Sequence, residues 1–261
     1  MGLAWHQNSC AYDATLTIFH SIWNSDPQKW SERFKGMNEE WMGKLASDFG
    51  KHWAGSMRLE VTRDNLRRRL ALRAPDQFAW GELTSMHHLL QYILKTANTT
   101  IQSHLECPQH HQMEMDAQAV STGCMISAGT TSYMSIGQWV REFKENTHHK
   151  CANCQETMQL KFSLSESMPL IAFDFAGHSP EIDQNVNILI NGRNREYQLR
   201  GVLYFGHEHF TSRIISESGT WFHDGIETGQ SVMYEGDNEN GETLKKCKGK
   251  EASAAIYTLI E

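Results

Sequence analysis

Gln7-Asn8-Ser9-Cys10-Ala11-Tyr12-Asp13 is the stretch on which the reading of this chain turns. A cysteine follows three polar residues and opens a strongly apolar run. Ala11, Tyr12, Leu16, Ile18, Phe19, Ile22 and Trp23 recur at three- and four-residue steps, which predicts a helix with one buried face. Asn8 or Ser9 can cap that helix, which puts Cys10 in its first turn. The helix dipole and the free amides there favour an anion, so a thiolate forms more easily. A free cysteine is equally at home packed inside a core helix. This stretch alone leaves chemistry and packing both open.

Composition narrows the class. The chain has 261 residues, room for one large domain or two small ones, and its eight tryptophans allow a sizeable core. Net charge is −7 and no long basic run occurs, so nucleic acid is not expected as a partner, while a basic partner is allowed. No apolar stretch approaches a membrane span and no secretory signal opens the chain, so no membrane association is expected. Met1-Gly2 does not continue into a myristoylation motif, because His6 stands where Ser or Thr is needed. Cys10, Cys107, Cys124, Cys151, Cys154 and Cys247 are spread out and include a Cys-x-x-Cys. That pattern suits metal-binding or catalytic thiols in a reducing compartment, cytoplasm or nucleus, better than a disulfide scaffold. A monomer is expected.

Residues 11 to about 98 read as helical. Trp30, Phe34, Trp41 and Leu45 recur at roughly helical spacing. Leu59 to Arg73 carries Leu59, Leu66 and Leu70 on one side and Arg63, Arg67, Arg68 and Arg69 on others, which reads as a solvated basic face. Pro75 ends that helix. His87 to Lys95 reads as another. The character changes near residue 98, and Cys107 to Met134 favours strands and turns. A short helix is expected over Ser135 to Glu145. Strands follow at Met158–Phe162, Leu170–Phe175, Val186–Ile190, Tyr197–Phe205, Phe210–Ile215, Gly219–His223 and Ala255–Ile260, with Asn191-Gly192 as the strongest hairpin signal. Asp237 to Gly249 is polar and reads as a mobile loop. Helices first and an antiparallel sheet afterwards predict an α+β fold.

Two ligand pairs point to a metal. Cys107-Pro108-Gln109-His110 and Cys151-Ala152-Asn153-Cys154 form two-ligand knuckles. Zinc takes four such ligands in a tetrahedron, commonly delivered as two close pairs. The long separation fits two β-hairpins meeting at their tips, with Cys107, His110, Cys151 and Cys154 as the structural zinc set. His111, Cys124, His148 and His149 can substitute for any one of them. A metal-free hairpin pair, or a redox Cys-x-x-Cys, is the plainer alternative.

A cysteine nucleophile needs a histidine to take its proton and an acceptor to orient that histidine. His209 opens an alternating strand, and after a turn at Glu217-Ser218-Gly219 comes Trp221-Phe222-His223-Asp224. Two strands paired across that turn bring Asp224 back beside His209. His207 is the second candidate base. Both histidines also stand as ordinary strand residues, since the chain has fourteen.

In this order the landmarks resemble the ubiquitin-specific proteases, papain-like cysteine peptidases that remove ubiquitin. Asn8-Ser9-Cys10-Ala11-Tyr12 is similar to that family's Asn-Thr-Cys-Tyr box, with one residue inserted before the aromatic. The two ligand pairs stand where the family has its finger zinc pairs. Met168-Pro169-Leu170-Ile171-Ala172-Phe173 resembles its Leu-Pro-x-x-Leu strand entry, and Tyr197-Gln198-Leu199-Arg200-Gly201-Val202 its Tyr-x-Leu-x-Ala-Val strand. His209-Phe210-Thr211-Ser212 looks like its His-Tyr-x-Ala, Trp221-Phe222-His223-Asp224 like its Trp-Tyr-x-Phe-Asp, and Ile256-Tyr257-Thr258-Leu259-Ile260 like its closing strand. The resemblance implies one catalytic domain over 1–261, with a helical thumb at about 1–98 and zinc-tipped β fingers and an antiparallel β palm at about 99–261. It implies that Cys10 attacks the carbonyl after the modifier's carboxyl-terminal glycine, with His209 as base and then acid and Asp224 as its orienter. The partner it implies is ubiquitin.

The departures from the family are specific. Its oxyanion asparagine lies five residues before the cysteine, where this chain has Trp5; Asn8 and Gln7 are the nearest candidates, alongside the Cys10 amide. The acidic thumb motif is not evident, and Glu82 with His87-His88 stands roughly in its place. The chain is also short for the family, and with so little ahead of Cys10 a domain boundary is expected there. These points leave room for SUMO or another ubiquitin-like modifier. The readings that remain are an inactive, zinc-stabilised ubiquitin-binding module and a zinc-dependent redox protein. The first has no need of all three catalytic candidates, and the second explains neither the Cys10 nor the His209 segment.

Overall fold

The computed structural model describes residues 1–98, 100–111, 118–121, 123–128, 132–237 and 243–260. Its helices come first: α1 (Cys10–Ser25), α2 (Pro27–Met37), α3 (Lys44–Trp53), α4 (Leu59–Arg73) and α5 (Met86–Ile93). Pro27 sits at the start of α2, where its missing N–H costs nothing, and the Asp26 carboxylate caps the Lys29 amide at 3.0 Å. Between α2 and α3, Glu39–Gly43 forms a π-helical turn. Asn38 holds it: its Oδ1 accepts from the Trp41 and Met42 amides at 2.8 and 2.9 Å, and its Nδ2 donates to the Ile93 and Lys95 carbonyls at 2.9 and 2.7 Å. One side chain thus ties the turn to the end of α5.

Strands follow: β1 (Ile101–Glu106), β2 (Gln118–Ser121) and β3 (Met125–Ser127). Helix α6 (Ile136–Glu142) is shorter than its sequence suggests, because Phe143 turns left-handed at φ 30° and the chain enters β4 (Lys144–Lys150). Then come β5 (Thr157–Leu164), β6 (Leu170–Asp174), β7 (Asn185–Ile190), β8 (Arg193–Gly206), β9 (His209–Ser216), β10 (Gly219–His223), β11 (Met233–Gly236), β12 (Lys246–Cys247) and β13 (Lys250–Leu259). They form one curled sheet running β11-β10-β9-β8-β7-β5-β1-β2, with β13 joining β8 to β6 and β4 on β5. Most pairs are antiparallel, as expected; β3 on β6 and the single contact of β5 with β7 are parallel. Asn191 and Gly192, both at positive φ, make the β7–β8 hairpin turn anticipated from sequence. Part of the 237–249 loop instead rejoins the sheet as β12 paired to β13, and 238–242 lie outside the described residues.

A single apolar core runs from Tyr12, Phe19 and Trp23 of α1 through Leu45, Phe49, Leu66 and Leu90 to Phe173, Leu203 and Tyr257 of the sheet. Helix α1 is its spine. It packs on β8 so closely that a Cβ on Gly201 would lie 2.7 Å from the Ile18 side chain. Gly201→Ala therefore overpacks the joint between the two halves, at a cost of about 1–3 kcal/mol. The expected result is a lower urea midpoint at unchanged slope, with part of the loss recovered in Gly201→Ala/Ile18→Val. No recovery in the double variant would rule out this joint as the cause. Among the described residues no helix is long and apolar enough to cross a membrane.

One expectation fails clearly. Arg63 and Arg67 are not on a solvated face; both are buried, at 2% and 3% exposure. They share the inner side of α4 with Leu59, Leu66 and Leu70, since positions three, four and seven apart align on a helix.

Candidate active site

Cys10 is the first residue of α1 and is buried with a free thiol. Ser9 stands at the N-cap position, but its hydroxyl makes no cap. It accepts from the His6 amide at 2.9 Å and donates to Asp13 Oδ2 at 2.5 Å. The first-turn amides of α1 are left without a side-chain cap, so the helix start is open to an anion.

His209 opens β9, and β9 and β10 pair in a register that sets Ser212 against His223. The chain leaves β10 at Asp224, whose Oδ1 lies 2.8 Å from His209 Nε2. The Cys10 thiol is close enough to the ring to act on its charge. The bond to Asp224 comes first, with Cys10 adding to it, in raising the His209 pKa to about 9. Burial works to raise the Asp224 carboxyl, but the bond from His209 and the amides of Ile226 and Glu227 overcome it and hold the pKa at about 2. The arrangement therefore carries a charged imidazolium and a charged carboxylate across neutral pH. His207, the second candidate, lies in the two-residue β8–β9 turn with Glu208, exposed and at φ 54°. His223 is buried and kept neutral, its pKa lowered by burial to about 4; its Nε2 lies 3.1 Å from the Leu3 amide.

The turn ahead of Cys10 is held from α4. Arg63 Nη1 donates to the Ala4 carbonyl at 2.6 Å and pairs with Asp13 Oδ1 at 3.0 Å. Arg67 donates to the carbonyls of His6 and Gln7 at 3.1 and 2.7 Å. Of the oxyanion candidates, Gln7 turns its Oε1 to Trp80 Nε1 at 2.9 Å, and Asn8 donates Nδ2 to the Gly81 carbonyl at 2.8 Å.

At the far end of the sheet, β1 and β5 pair so that Glu106 faces Gln159, which brings Cys107 to the tip of the β4–β5 hairpin. Cys107, His111, Cys151 and Cys154 place their ligand atoms within 4.8 Å of one another, a set that can hold a metal ion. The fourth member of the set is His111, where the sequence reading put His110 first and kept His111 as a substitute. Residue 110 closes a tight turn, its amide on the Cys107 carbonyl at 2.8 Å and its φ at 55°. That turn sends its side chain out to Glu106 Oε1, 3.4 Å away, and brings the next residue back to the thiols. The donor set fits zinc: bonds of about 2.3 Å in a tetrahedron set S···S edges near 3.8 Å, and Cys107 Sγ lies 3.5 Å from Cys154 Sγ and 3.4 Å from His111 Nδ1. Around the set, Cys107, Cys151 and Met158 form a small cluster separate from the main core.

No protein-family model matches this sequence, and no curated protein matches it. Solved structures do. The SAGA DUB module Ubp8/Sgf11/Sus1/Sgf73 bound to monoubiquitin is similar over 100% of this chain and 69% of that chain, at 12% identity and a TM-score of 0.60. The same module bound to ubiquitin aldehyde gives 14% identity over the same shares and the same score. The yeast module with an Sgf73 variant gives 13% identity over 100% and 68%, again at 0.60. The fold is that of a ubiquitin-specific protease. In that fold α1 to α5 are the thumb, the β6–β13–β8–β9–β10 sheet is the palm, and β1, β4 and β5 are the fingers.

A cavity of about 460 Å³ separates thumb from palm. Leu83, Met86, Phe205 and Phe210 line it, with Asp174 and Glu208 on its palm side. Phe210, the residue after His209, is part of its lining, and Thr84, also in the lining, donates to the Tyr12 hydroxyl at 3.1 Å. From the thumb it meets only Leu83, Thr84, Ser85, Met86 and His87, with no carboxylate. His87 Nδ1 lies 2.6 Å from Asp174 Oδ2, joining thumb to palm across the cavity's edge. The sequence reading missed Arg63, Arg67 and the His87–Asp174 pair. For the two arginines a signal existed: their four-residue spacing in register with the leucines.

Proposed function

We propose that this protein is a thiol-dependent isopeptidase that cleaves after the carboxyl-terminal glycine of ubiquitin. The observation that carries the reading is the His209–Asp224 pair set against a cysteine at a helix start, within the fold of a ubiquitin-specific protease. In this reading Cys10 has already passed its proton to His209, and the thiolate adds to the carbonyl carbon. The tetrahedral species collapses, the bond to the lysine amine breaks, and that amine takes the proton from His209. Water then attacks the thioester, losing a proton to His209, and releases the modifier with Cys10 restored. Asp224 keeps the ring oriented throughout. Zinc on Cys107, His111, Cys151 and Cys154 would staple the finger tips and supply no step of the chemistry.

The thumb–palm cavity suits an extended tail that reaches Cys10 through apolar walls. Its thumb side carries no carboxylate to meet a basic tail, and this favours a second reading, in which the modifier is SUMO or another ubiquitin-like protein. Vinyl-ester or propargyl probes built on ubiquitin and on SUMO separate the two. One probe should label the protein, with labelling lost in Cys10→Ala. Labelling by neither would overturn the isopeptidase assignment and favour a binding module.

A further inference from the structure

The turn ahead of Cys10 supports an inference that rests on the acyl-transfer reading above. Adding a thiolate to a carbonyl puts negative charge on its oxygen, and donors must already be aimed at that spot. The side chains nearest by sequence are engaged elsewhere. Trp5 offers an indole, and its amide is bonded to the Gly225 carbonyl at 2.8 Å. Gln7 and Asn8 turn their side-chain amides to the thumb loop at Trp80 and Gly81.

The main chain is left. Among the described residues no peptide bond is cis. In a trans peptide the N–H points opposite to the C=O of the same unit. Arg67 grips the His6 carbonyl with Nη1 at 3.1 Å, which turns the Gln7 N–H away from α4. It grips the Gln7 carbonyl with Nη2 at 2.7 Å, which turns the Asn8 N–H the same way. Neither amide meets an acceptor among the described residues, nor does that of Cys10 in the first turn of α1. Gln7 and Asn8 both hold positive φ, 48° and 57°, a conformation that asparagine tolerates and glutamine adopts uncommonly. Arg67 is itself locked in place, its guanidinium 4.4 Å from the centre of the Trp80 ring and 5.4 Å from that of Tyr12.

We propose that the oxyanion of acyl transfer is held by the main-chain amides of Gln7, Asn8 and Cys10, and that Arg67 is the positioning residue that aims the first two. A planar fork suits two neighbouring carbonyls, which is why arginine and not lysine stands there.

The test compares Arg67→Met, Arg67→Lys, Asn8→Ala and Gln7→Ala in three readouts. The first is hydrolysis of a fluorogenic conjugate of whichever modifier labels Cys10. The second is affinity for the same modifier as its aldehyde, whose hemithioacetal carries an oxygen at the oxyanion position. The third is alkylation of Cys10 by iodoacetamide, which displaces iodide and develops no oxyanion. Arg67→Met should lower kcat/KM and aldehyde affinity by about 100-fold, through kcat rather than KM. Arg67→Lys should lose nearly as much, alkylation should stay within about twofold, and Asn8→Ala and Gln7→Ala should each lose clearly less than Arg67→Met, because their main-chain donors remain.

A loss in Asn8→Ala or Gln7→Ala equal to that in Arg67→Met would overturn the proposal in favour of a side-chain donor. Parallel loss of alkylation and hydrolysis in both Arg67 variants would reduce Arg67 to a purely structural role and overturn it too. Should both variants fail to fold, the wild-type amide spectrum decides. The Gln7 and Asn8 amide protons should move downfield on aldehyde binding, and unmoved signals refute the proposal. A wild-type chain that alkylates at Cys10 but neither hydrolyses a modifier conjugate nor binds its aldehyde instead overturns the isopeptidase reading, and this inference with it.

Discussion

His209→Ala is expected to lower kcat/KM on a modifier conjugate by about 10³- to 10⁴-fold, the range in which a lost general base and acid falls. The residue has two jobs in the proposed cycle, and no other described histidine can take either. His207 is in the exposed turn, and His223 is buried against Leu3. The pH profile is the more discriminating measurement. With His209 charged up to about 9, activity should fall on an alkaline limb near pH 9, as the ring loses the proton it must give to the leaving amine. Asp224→Asn removes the first cause of that elevation. The limb should then fall toward the ordinary imidazole value of about 6.5, and at pH 7.5 ionisation alone should cost about tenfold. A limb that stays near 9 in Asp224→Asn would show that the carboxylate does not set the ring's charge.

The same pair makes a statement about stability. His209 has its pKa raised on folding, so its contribution is complete below about 6.5 and is lost as pH rises through about 9. Asp224 has its pKa lowered, so its contribution is present above about 3.9 and is lost as pH falls through about 2. Between those limits the pair favours the folded chain.

The second large effect concerns the finger tips. His111→Ala should weaken metal binding by more than about 100-fold, beyond what outer-shell changes cost, while His110→Ala should leave it within severalfold. The reason is geometric: His111 Nδ1 lies 3.4 and 3.7 Å from the thiols of Cys107 and Cys151, and His110 faces Glu106. Competition with a chromophoric chelator measures both variants, and protein lacking one equivalent of zinc from the outset would remove the claim. Chelation should also strip hydrogen-exchange protection from β1, β4 and β5 first. Their tip cluster of Cys107, Cys151 and Met158 is too small to hold together by burial alone and does not join the main core.

Much of the architecture was legible because its signals are local. The Asn191-Gly192 turn, the alternation along β7 and β8, and the helical spacing of Tyr12, Leu16 and Phe19 each depend on residues within a few positions of one another. Local signals also misled. Asp237 to Gly249 is polar, yet Lys246–Cys247 pairs with β13, because an open strand edge was waiting for it. The Cys-x-x-His spacing named His110, but spacing does not encode the φ of 55° that turns it away.

The apolar periodicity and the cysteine and histidine landmarks by themselves determined the α+β class, the order of helical half before sheet, and the nomination of Cys10, His209 and Asp224. Tertiary structure decided what those residues meet. It decided that Arg63 and Arg67 are buried, since a guanidinium goes inside only where carbonyls arrive to receive it, and here they come from Ala4, His6 and Gln7, about sixty positions earlier in the chain. It also decided that the side chains of Gln7 and Asn8, candidates for their place beside Cys10, turn instead to Trp80 and Gly81 of the thumb loop.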